Sequence, residues 1–261
     1  MLTVTQIQID TWLALFWWPY LRLLGLMLAD PFYSSRTIPT RVRIGLSILL
    51  VLLIAPGLQP LPAVPLSSAA GFLIAVREMA IGLAMGFVVR IMFSCMEMAG
   101  HLAGLQMGLG FATFYDPQHS TNVPIVAQFL SVFTLLVYLS LNGHLILLQA
   151  LFDSYAQLPI HTGLPSGDGF RMVAEFGAII FRSGVMIALP VLGALLITNL
   201  TIGVMTRAAP QLNVFAVGFP ITLSIGFAAL YMMLPYLAPH LEALITTVVR
   251  FIAQMMGGFS R

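Results

Sequence analysis

The 261-residue chain contains no lysine and few charged residues of any kind. Only 8% of its residues are charged and 59% are hydrophobic, whereas soluble domains carry about 25% charged residues. Its 11 basic and 9 acidic residues could not cover the surface of a soluble fold of this length. The composition therefore predicts an integral membrane protein. The net charge of +2 is too small and too scattered for a nucleic-acid-binding surface.

Residue patterns for catalysis and metal binding are also missing. The single cysteine, Cys95, excludes an intrachain disulfide and a cysteine-based metal site. The five histidines lack H-E-x-x-H spacing, and a chain without lysine has no phosphate-binding residue for a P-loop. Ser166 lies in a glycine-rich turn rather than in a G-x-S-x-G nucleophile elbow. We therefore expect a protein that is not an enzyme and has no metal or cofactor.

About six hydrophobic segments could form helices in a membrane, where one crossing needs about 20 apolar residues. Several of them contain prolines or charges, such as Pro19 and Arg22 in the first segment. Residues 66–114 are long enough for two helices or one helical hairpin. The connections are short, and no internal repeat is visible. We predict an all-α membrane protein of broken or hairpin-forming helical units, with residues 1–261 forming a single domain.

Four charged residues interrupt the 66–114 stretch: Arg77, Glu78, Arg90 and Glu97. An ionised side chain at the bilayer centre costs about 2.5–3.5 kcal/mol. Neighbouring residues on a helix point about 100° apart, so Arg77 and Glu78 are not expected to pair with each other. We assign all four residues to packing against partner subunits. The alternatives are that they extend to the polar membrane interface or, for Arg77 and Glu78, that they face a polar lumen.

Small residues recur at four-residue spacing in the same stretch, at Gly100, Gly104 and Gly108. Such stripes let helices approach closely in membranes. We therefore predict that Gly100 and Gly104 belong to a packing face. The neighbouring helix could belong to this chain or to another subunit.

An aromatic segment follows the glycine stripe and ends in an Asp-Pro pair, which disfavours helix. Its distinctive residues are Gly108, Gly110, Phe111, Phe114, Tyr115, Asp116 and Pro117. Bulky aromatics on a loop at membrane depth are tolerated only inside protein or along a cavity. Two interpretations remain open: a turn with aromatic anchors at the membrane interface, or an obstruction in a conduit.

Residues 207–220, with the sequence RAAPQLNVFAVGFP, resemble the signature of the FliR family of flagellar export proteins, which also includes the corresponding injectisome subunit. The motif residues are Arg207, Pro210, Gln211, Asn213, Phe215, Gly218, Phe219 and Pro220. Three further stretches agree in order: IPTR at 38–41, GLQMGLGFATFYDP at 104–117, and LNGH at 141–144 with LP at 158–159. The resemblance covers residues 12–239, and its central segment is more similar to the flagellar branch.

The resemblance implies a structural channel subunit of the flagellar type III protein export gate, in the bacterial inner membrane at the flagellar basal body. The family forms a helical assembly of bent hairpins, with one copy of this subunit beside FliP and FliQ, and with FlhB as a neighbour. Unfolded export substrates and membrane lipid are the other implied partners; nucleic acid is not.

The resemblance implies a role for the central loop, whereas the role expected of the 207–220 motif comes from its own residues. The central loop, here Gly108 to Asp116, plugs the closed pore, with Phe111 and Phe114 as blocking groups, and Tyr115 adds bulk to that plug. In the 207–220 motif we expect Pro210 to break a helix. The side chains of Arg207, Gln211 and Asn213 would then satisfy the freed backbone groups.

Three other functions remain as alternatives. An injectisome export gate would differ from the flagellar one only in the system it serves. A small-solute secondary transporter would suit broken helices and intramembrane charges, but the chain has no internal repeat and no dense polar cluster at a midplane. An intramembrane hydrolase would need a nucleophile or metal set, which the sequence does not offer.

Overall fold

The computed structural model of the chain describes residues 6–35, 37–58, 62, 64–111, 124–211 and 214–260. For residues 6–12, 111, 214 and 215 it describes the backbone alone. The described residues form helices and no strand, which confirms the all-α class. In chain order they are α1 (Gln6–Ala29), α2 (Thr40–Ile54), a 3-10 turn (Ala55–Gly57), α3 (Ala69–Gln106), a second 3-10 turn (Leu109–Phe111), α4 (Ile125–Ser140), α5 (Gly143–Gln157), α6 (Gly167–Phe176), α7 (Ile179–Ala208) and α8 (Val214–Phe259).

Several of these helices have the length and composition of membrane spans. Within the described ranges, four stretches are long and apolar enough to cross a membrane: Thr40–Gly57, Ala69–Gln106, Gly167–Ala208 and Ala216–Phe259. The pair α4 and α5 forms a fifth candidate that is broken between its two halves, and α1 contributes the shorter apolar helix Leu13–Ala29. The predicted membrane protein with several hydrophobic helical units is therefore confirmed.

Residues 66–114 do not form the pair of helices or the hairpin that their length allowed. They contain the continuous 38-residue helix α3. The Ser68 hydroxyl accepts a hydrogen bond from Gly71 N at 3.0 Å, which satisfies one of the unpaired N–H groups at the helix start. No proline occurs between Pro65 and Pro117, so nothing in the interior of the stretch removes a helical hydrogen bond.

Several prolines lie inside helices and do not end them. Helix α8 is 46 residues long and contains Pro220, Pro235 and Pro239. Each proline removes one backbone N–H donor, a loss that membrane helices tolerate because neighbouring groups and local adjustment satisfy the carbonyl. The late prolines of this segment are therefore features inside one helix rather than its boundaries.

The chain divides into two compact units, each assembled from separate stretches. Unit 1 comprises residues 1–91, 142–177 and 245–261, and unit 2 comprises residues 92–141 and 178–244. Trp18, Met27 and Ile81 are fully buried in the core of unit 1, and Met96 and Leu195 in the core of unit 2. The prediction of one domain for residues 1–261 stays a prediction.

Candidate functional site

Helices α1 and α3 pack in unit 1 with their backbones in direct contact. A Cβ atom added at Gly82 would collide with the carbonyl oxygen of Arg22, and one added at Gly25 would lie 2.5 Å from the carbonyl oxygen of Met79. At Gly86, a Cβ atom would likewise lie 2.5 Å from a carbonyl oxygen of α1. Because real Cβ atoms essentially never approach within 3.0 Å of such atoms, these three glycines set the short distance between the helices.

This close approach brings three charged side chains together inside unit 1. Arg22 Nε donates to Glu78 Oε2 at 2.6 Å, and Arg77 Nη1 donates to Glu78 Oε1 at 3.0 Å. All three side chains are fully buried, and we call Arg22, Arg77 and Glu78 the buried ionic cluster. Among the described residues no other carboxylate pairs with either guanidinium. The cluster therefore has a formal charge of +1.

The pairing of Arg77 with Glu78 corrects the sequence-based expectation that these neighbours would not pair. The arginine side chain is long enough to reach back to the carboxylate although the two Cβ atoms point about 100° apart. Both residues were assigned to packing against partner subunits. They lie instead in the interior of this chain, where their partners are intrachain groups.

Arg22 also joins α1 to α5 and to the loop that follows it. Its Nη1 donates to Ser154 Oγ at 3.1 Å, and its Nη2 donates to the carbonyl oxygen of Leu158 at 2.9 Å. The guanidinium carbon lies 4.5 Å from the centre of the Tyr155 ring, within cation–π range. The Tyr155 hydroxyl in turn donates to the carbonyl oxygen of Pro19 at 2.8 Å. The guanidinium of Arg22 thus connects α1 with α3, with α5 and with the loop after α5.

Arg77 reaches the same loop from α3. Its Nη1 donates to the carbonyl oxygen of Pro159 at 3.1 Å, and its Nη2 lies 3.0 Å from Nε2 of His161. Burial, and secondarily the positive charge of Arg77, lowers the pKa of His161. A neutral imidazole can accept this hydrogen bond, whereas a protonated one cannot. The loop is therefore fixed to α1 by Arg22 and to α3 by Arg77.

The buried ionic cluster has the properties of a structural contact that holds helices together rather than of a catalytic site. Glu78 uses both oxygens to bind guanidinium groups, and the other contacts of the guanidiniums are to two backbone carbonyls, the Ser154 hydroxyl and the His161 ring. No group of three or more histidine, cysteine, aspartate or glutamate side chains in the described part of the chain could hold a metal ion. The arrangement gives rigidity to the α1, α3 and α5 junction and offers no open position for a substrate.

A second buried carboxylate, Asp30, closes the C-terminal end of α1. Its Oδ1 accepts hydrogen bonds from the backbone N–H groups of Phe32 and Tyr33, both at 2.9 Å. Its Oδ2 is buried and has no hydrogen-bond partner among the described residues. Burial raises the pKa of Asp30 to about 6, and the two backbone hydrogen bonds only partly oppose this shift. The carboxylate therefore titrates in the weakly acidic range.

The other four residues predicted to pack against subunits differ in their surroundings. Arg90 and Glu97 are exposed on α3, and Glu97 accepts a hydrogen bond from Ser131 Oγ at 3.1 Å. A Cβ atom at Gly100 would collide with the backbone of Ala127, whereas one at Gly104 would meet its nearest atom at an ordinary 3.5 Å. Gly100 thus brings α3 and α4 of unit 2 together. Subunit contacts at Arg90, Glu97 and Gly104 stay predictions.

Only the beginning of the proposed plug segment lies among the described residues. Helix α3 ends at Gln106, and Gly108 has a φ of 82°, a left-handed conformation that glycine adopts without strain. Gly110 and the backbone of Phe111 form the 3-10 turn that follows. Phe114, Tyr115, Asp116 and Pro117 lie outside the described residues, as does the side chain of Phe111. The pore-plug role stays a prediction.

The 207–220 motif connects α7 to α8 in unit 2. Helix α7 ends at Ala208, and Pro210 lies in the break before α8 begins at Val214. Arg207 stands in the last turn of α7, where a cation complements the helix dipole. Within the described residues, the side chains of Arg207 and Gln211 make none of the backbone hydrogen bonds that we expected.

The rest of the motif lies around the start of α8. Asn213 falls outside the described residues, and Phe215 is described by its backbone alone. Gly218 is buried, whereas Phe219 and Pro220 are exposed within α8. The break therefore lies at Pro210, and Pro220 does not repeat it.

The long apolar helices, the tight glycine contacts and the buried ion pairs define a multi-helix membrane protein. A sequence model of the family described as bacterial export proteins, family 1, matches residues 13–248, and the chain belongs to this family. The flagellar biosynthetic protein FliR of Pectobacterium carotovorum subsp. carotovorum is 40% identical over 256 residues, which cover 98% of each chain. The proteins of the same name from Escherichia coli (strain K12) and Aquifex aeolicus (strain VF5) are 39% and 32% identical, covering 98% and 83% of each chain. The family resemblance predicted from the sequence is confirmed.

Proposed function

We propose that the chain is a structural channel subunit of the flagellar type III protein export gate, located in the bacterial inner membrane at the flagellar basal body. The observation that carries this proposal is the family match over residues 13–248, together with relatives that are named flagellar biosynthetic proteins along their whole length. The export family supports a role in protein export, and the flagellar names favour the flagellum over the injectisome. The role is structural and not enzymatic.

The surface of unit 2 supports assembly in a membrane with other helices. Large apolar side chains are exposed along α7, at positions that include Phe181, Leu189, Leu196, Ile197 and Leu200. A soluble monomer does not leave a contiguous apolar surface of this kind uncovered. Lipid and the helices of partner subunits would cover it in the gate. We propose FliP and FliQ as those subunits, with one copy of this chain per gate and FlhB as a neighbour.

The proposed gate conducts unfolded flagellar proteins, and residues 108–117 close it at rest. The left-handed turn at Gly108 directs the chain out of α3 immediately before the aromatic residues. A loop that follows a buried helix end can project its side chains into a conduit without altering the helix itself. In this proposal Phe111 and Phe114 fill the conduit, and Tyr115, Asp116 and Pro117 shape the return of the loop.

Assembly is the first test of the proposed function. The chain, carrying the only affinity tag, is co-expressed with FliP and FliQ from the same source, and the intact mass of the detergent-solubilised complex is measured. A discrete hetero-oligomer with one copy of this chain is expected. Recovery of this chain only as a monomer or homo-oligomer would refute the gate assignment.

The second test concerns the plug. We predict that the double substitution Phe111→Ala/Phe114→Ala leaves assembly intact and makes resting membranes leak small ions, because two bulky groups leave the conduit. Ion conductance of cells or proteoliposomes is the measurement. The control substitution Phe72→Ala/Phe227→Ala removes two exposed aromatic rings from α3 and α8 and should not leak. Wild-type conductance in an assembled double variant would show that these residues do not plug the conduit.

A further inference from the structure

A narrow groove in unit 1 runs between α5 and the last part of α8. Its volume is about 180 Å³. One wall consists of apolar residues of α8: Val249, Ile252, Ala253 and Met256. The α5 wall is mixed and consists of Ile146, Gln149, Ala150, Asp153 and Gln157. The buried ionic cluster is built from other residues and does not use this groove.

The three polar residues of this wall form a regular row along one face of α5. Gln149, Asp153 and Gln157 are spaced four residues apart, so they lie above one another on the same face. With a rise of about 1.5 Å per residue, the row extends over roughly 12 Å. All three side chains are exposed. Asp153 has no ion pair or hydrogen bond among the described residues, so its negative charge is available to a partner.

The surroundings of this row limit what can occupy the groove. Helix α5 is half of a broken apolar span, and a carboxylate facing lipid in such a segment is strongly unfavourable. A groove of about 180 Å³ is smaller than the roughly 300–1,000 Å³ of sites that enclose small molecules. A groove between two helices, with one apolar wall and polar groups at helical spacing on the other, fits the side chains of a third helix. The central carboxylate requires a cation.

We infer that the α5–α8 groove binds a helix of another export-gate subunit, and that an arginine or lysine on that helix pairs with Asp153. Gln149 and Gln157 flank the pair and supply amide hydrogen bonds to the polar groups of the same helix. Ala253 is exposed and leaves room for the incoming backbone, and the partly exposed Val249 packs against its non-polar face. This inference rests on the proposed function, because it takes the partner from the gate.

The test compares variants of Asp153 in the co-expressed complex with FliP and FliQ. The measurement is the amount of both partners recovered per tagged chain. Asp153→Arg should lower this recovery at least about tenfold, since loss of a buried charge pair at an interface is costly. Asp153→Asn, which keeps the side-chain shape, should lower it less, and Asp153→Glu should retain it. Asp168→Arg makes the same change in charge at an exposed position of unit 1 and should leave recovery unchanged.

A rescue experiment distinguishes a lost contact from a misfolded chain. Each arginine or lysine in the helices of FliP and FliQ is changed to glutamate in the presence of Asp153→Arg, and restored recovery identifies the partner residue. Wild-type recovery with both Asp153→Arg and Asp153→Asn would overturn the inference and leave the proposed function standing, with the groove facing water. Failure of every reversal to rescue would also overturn it. If the unsubstituted chain recovers neither partner, the proposed function and the inference both fail.

Discussion

Glu78 is the position where one small change should have the largest effect on the stability of this protein. Glu78→Gln preserves the shape of the side chain but removes the carboxylate between Arg22 and Arg77. Both guanidiniums stay fully buried, and the new amide NH₂ group faces a donor where an acceptor was. Breaking a buried ion pair by removing one partner costs about 3–5 kcal/mol. We therefore expect the free energy of unfolding to fall by at least about 3 kcal/mol.

The assay is an SDS titration of the chain purified in a mild detergent, followed by the helical circular dichroism signal. Cys95, the single cysteine, is buried, so its rate of labelling by a thiol reagent reports unfolding independently. The matched control is Glu175→Gln, which removes a carboxylate from an ion pair with Arg171 whose side chains are 77% and 64% exposed. A surface pair of this kind contributes about 0–1 kcal/mol.

Replacement of the whole cluster tests the same reasoning from the opposite direction. The triple variant Arg22→Met/Arg77→Met/Glu78→Leu removes every charge together, so no charge is left buried without its partner, although the carbonyl oxygen of Leu158 loses its donor. We expect it to be close to the unsubstituted chain in stability, since apolar replacement of buried ion pairs is often neutral or stabilising. If the free energy of unfolding of Glu78→Gln lies within about 1 kcal/mol of that of the unsubstituted chain, as expected for an exposed ion pair, the cluster does not hold the helices together as we describe.

Two further predictions use other features of unit 1 and of α3. Gly82→Ala should sharply reduce the yield of folded protein in gel filtration, because the added methyl group collides with the carbonyl oxygen of Arg22. The control Gly104→Ala should be tolerated, because this position has room for a Cβ atom. Equal yields of the two variants would contradict the close-contact argument. Burial raises the pKa of Asp30 to about 6 in the folded state from its ordinary 3.8, so the folded state binds the proton more tightly than the unfolded state does. The free energy of unfolding therefore falls as pH rises between these values, on the order of 2–3 kcal/mol in total. Asp30→Asn should remove this pH dependence. Unfolding measured at pH 4 and pH 7.5 checks this, and an unchanged slope in Asp30→Asn would rule out Asp30 as its source.

The sequence predicted the helical membrane class because that depends on composition and on the length of apolar runs. The positions of the prolines alone do not give the helix boundaries. Pro210 does lie at a break, but Pro220, Pro235 and Pro239 lie inside α8. The cost of one missing hydrogen bond depends on what the surrounding helices provide, and the sequence does not reveal that.

The buried ionic cluster was only partly visible in the sequence. Arg22, Arg77 and Glu78 were recognisable as charges inside apolar segments, which is a general signal of a paired or functional position. Their pairing was not, because Arg22 and Glu78 are separated by 56 residues and meet only through the contacts at Gly25, Gly82 and Gly86. Local helix geometry considered alone even argued against the Arg77–Glu78 pair.

The wide separation of Arg22 and Glu78 along the chain also constrains how the protein enters the membrane. At a synthesis rate of about 5–20 residues per second, the 56 residues between them delay Glu78 by roughly 3–11 s after Arg22. During this interval α1 carries a cation without its anion, and leaving it in lipid would be unfavourable. Helix α1 is therefore expected to stay beside the insertion machinery until α3 emerges, so that the two helices enter the bilayer as a pair.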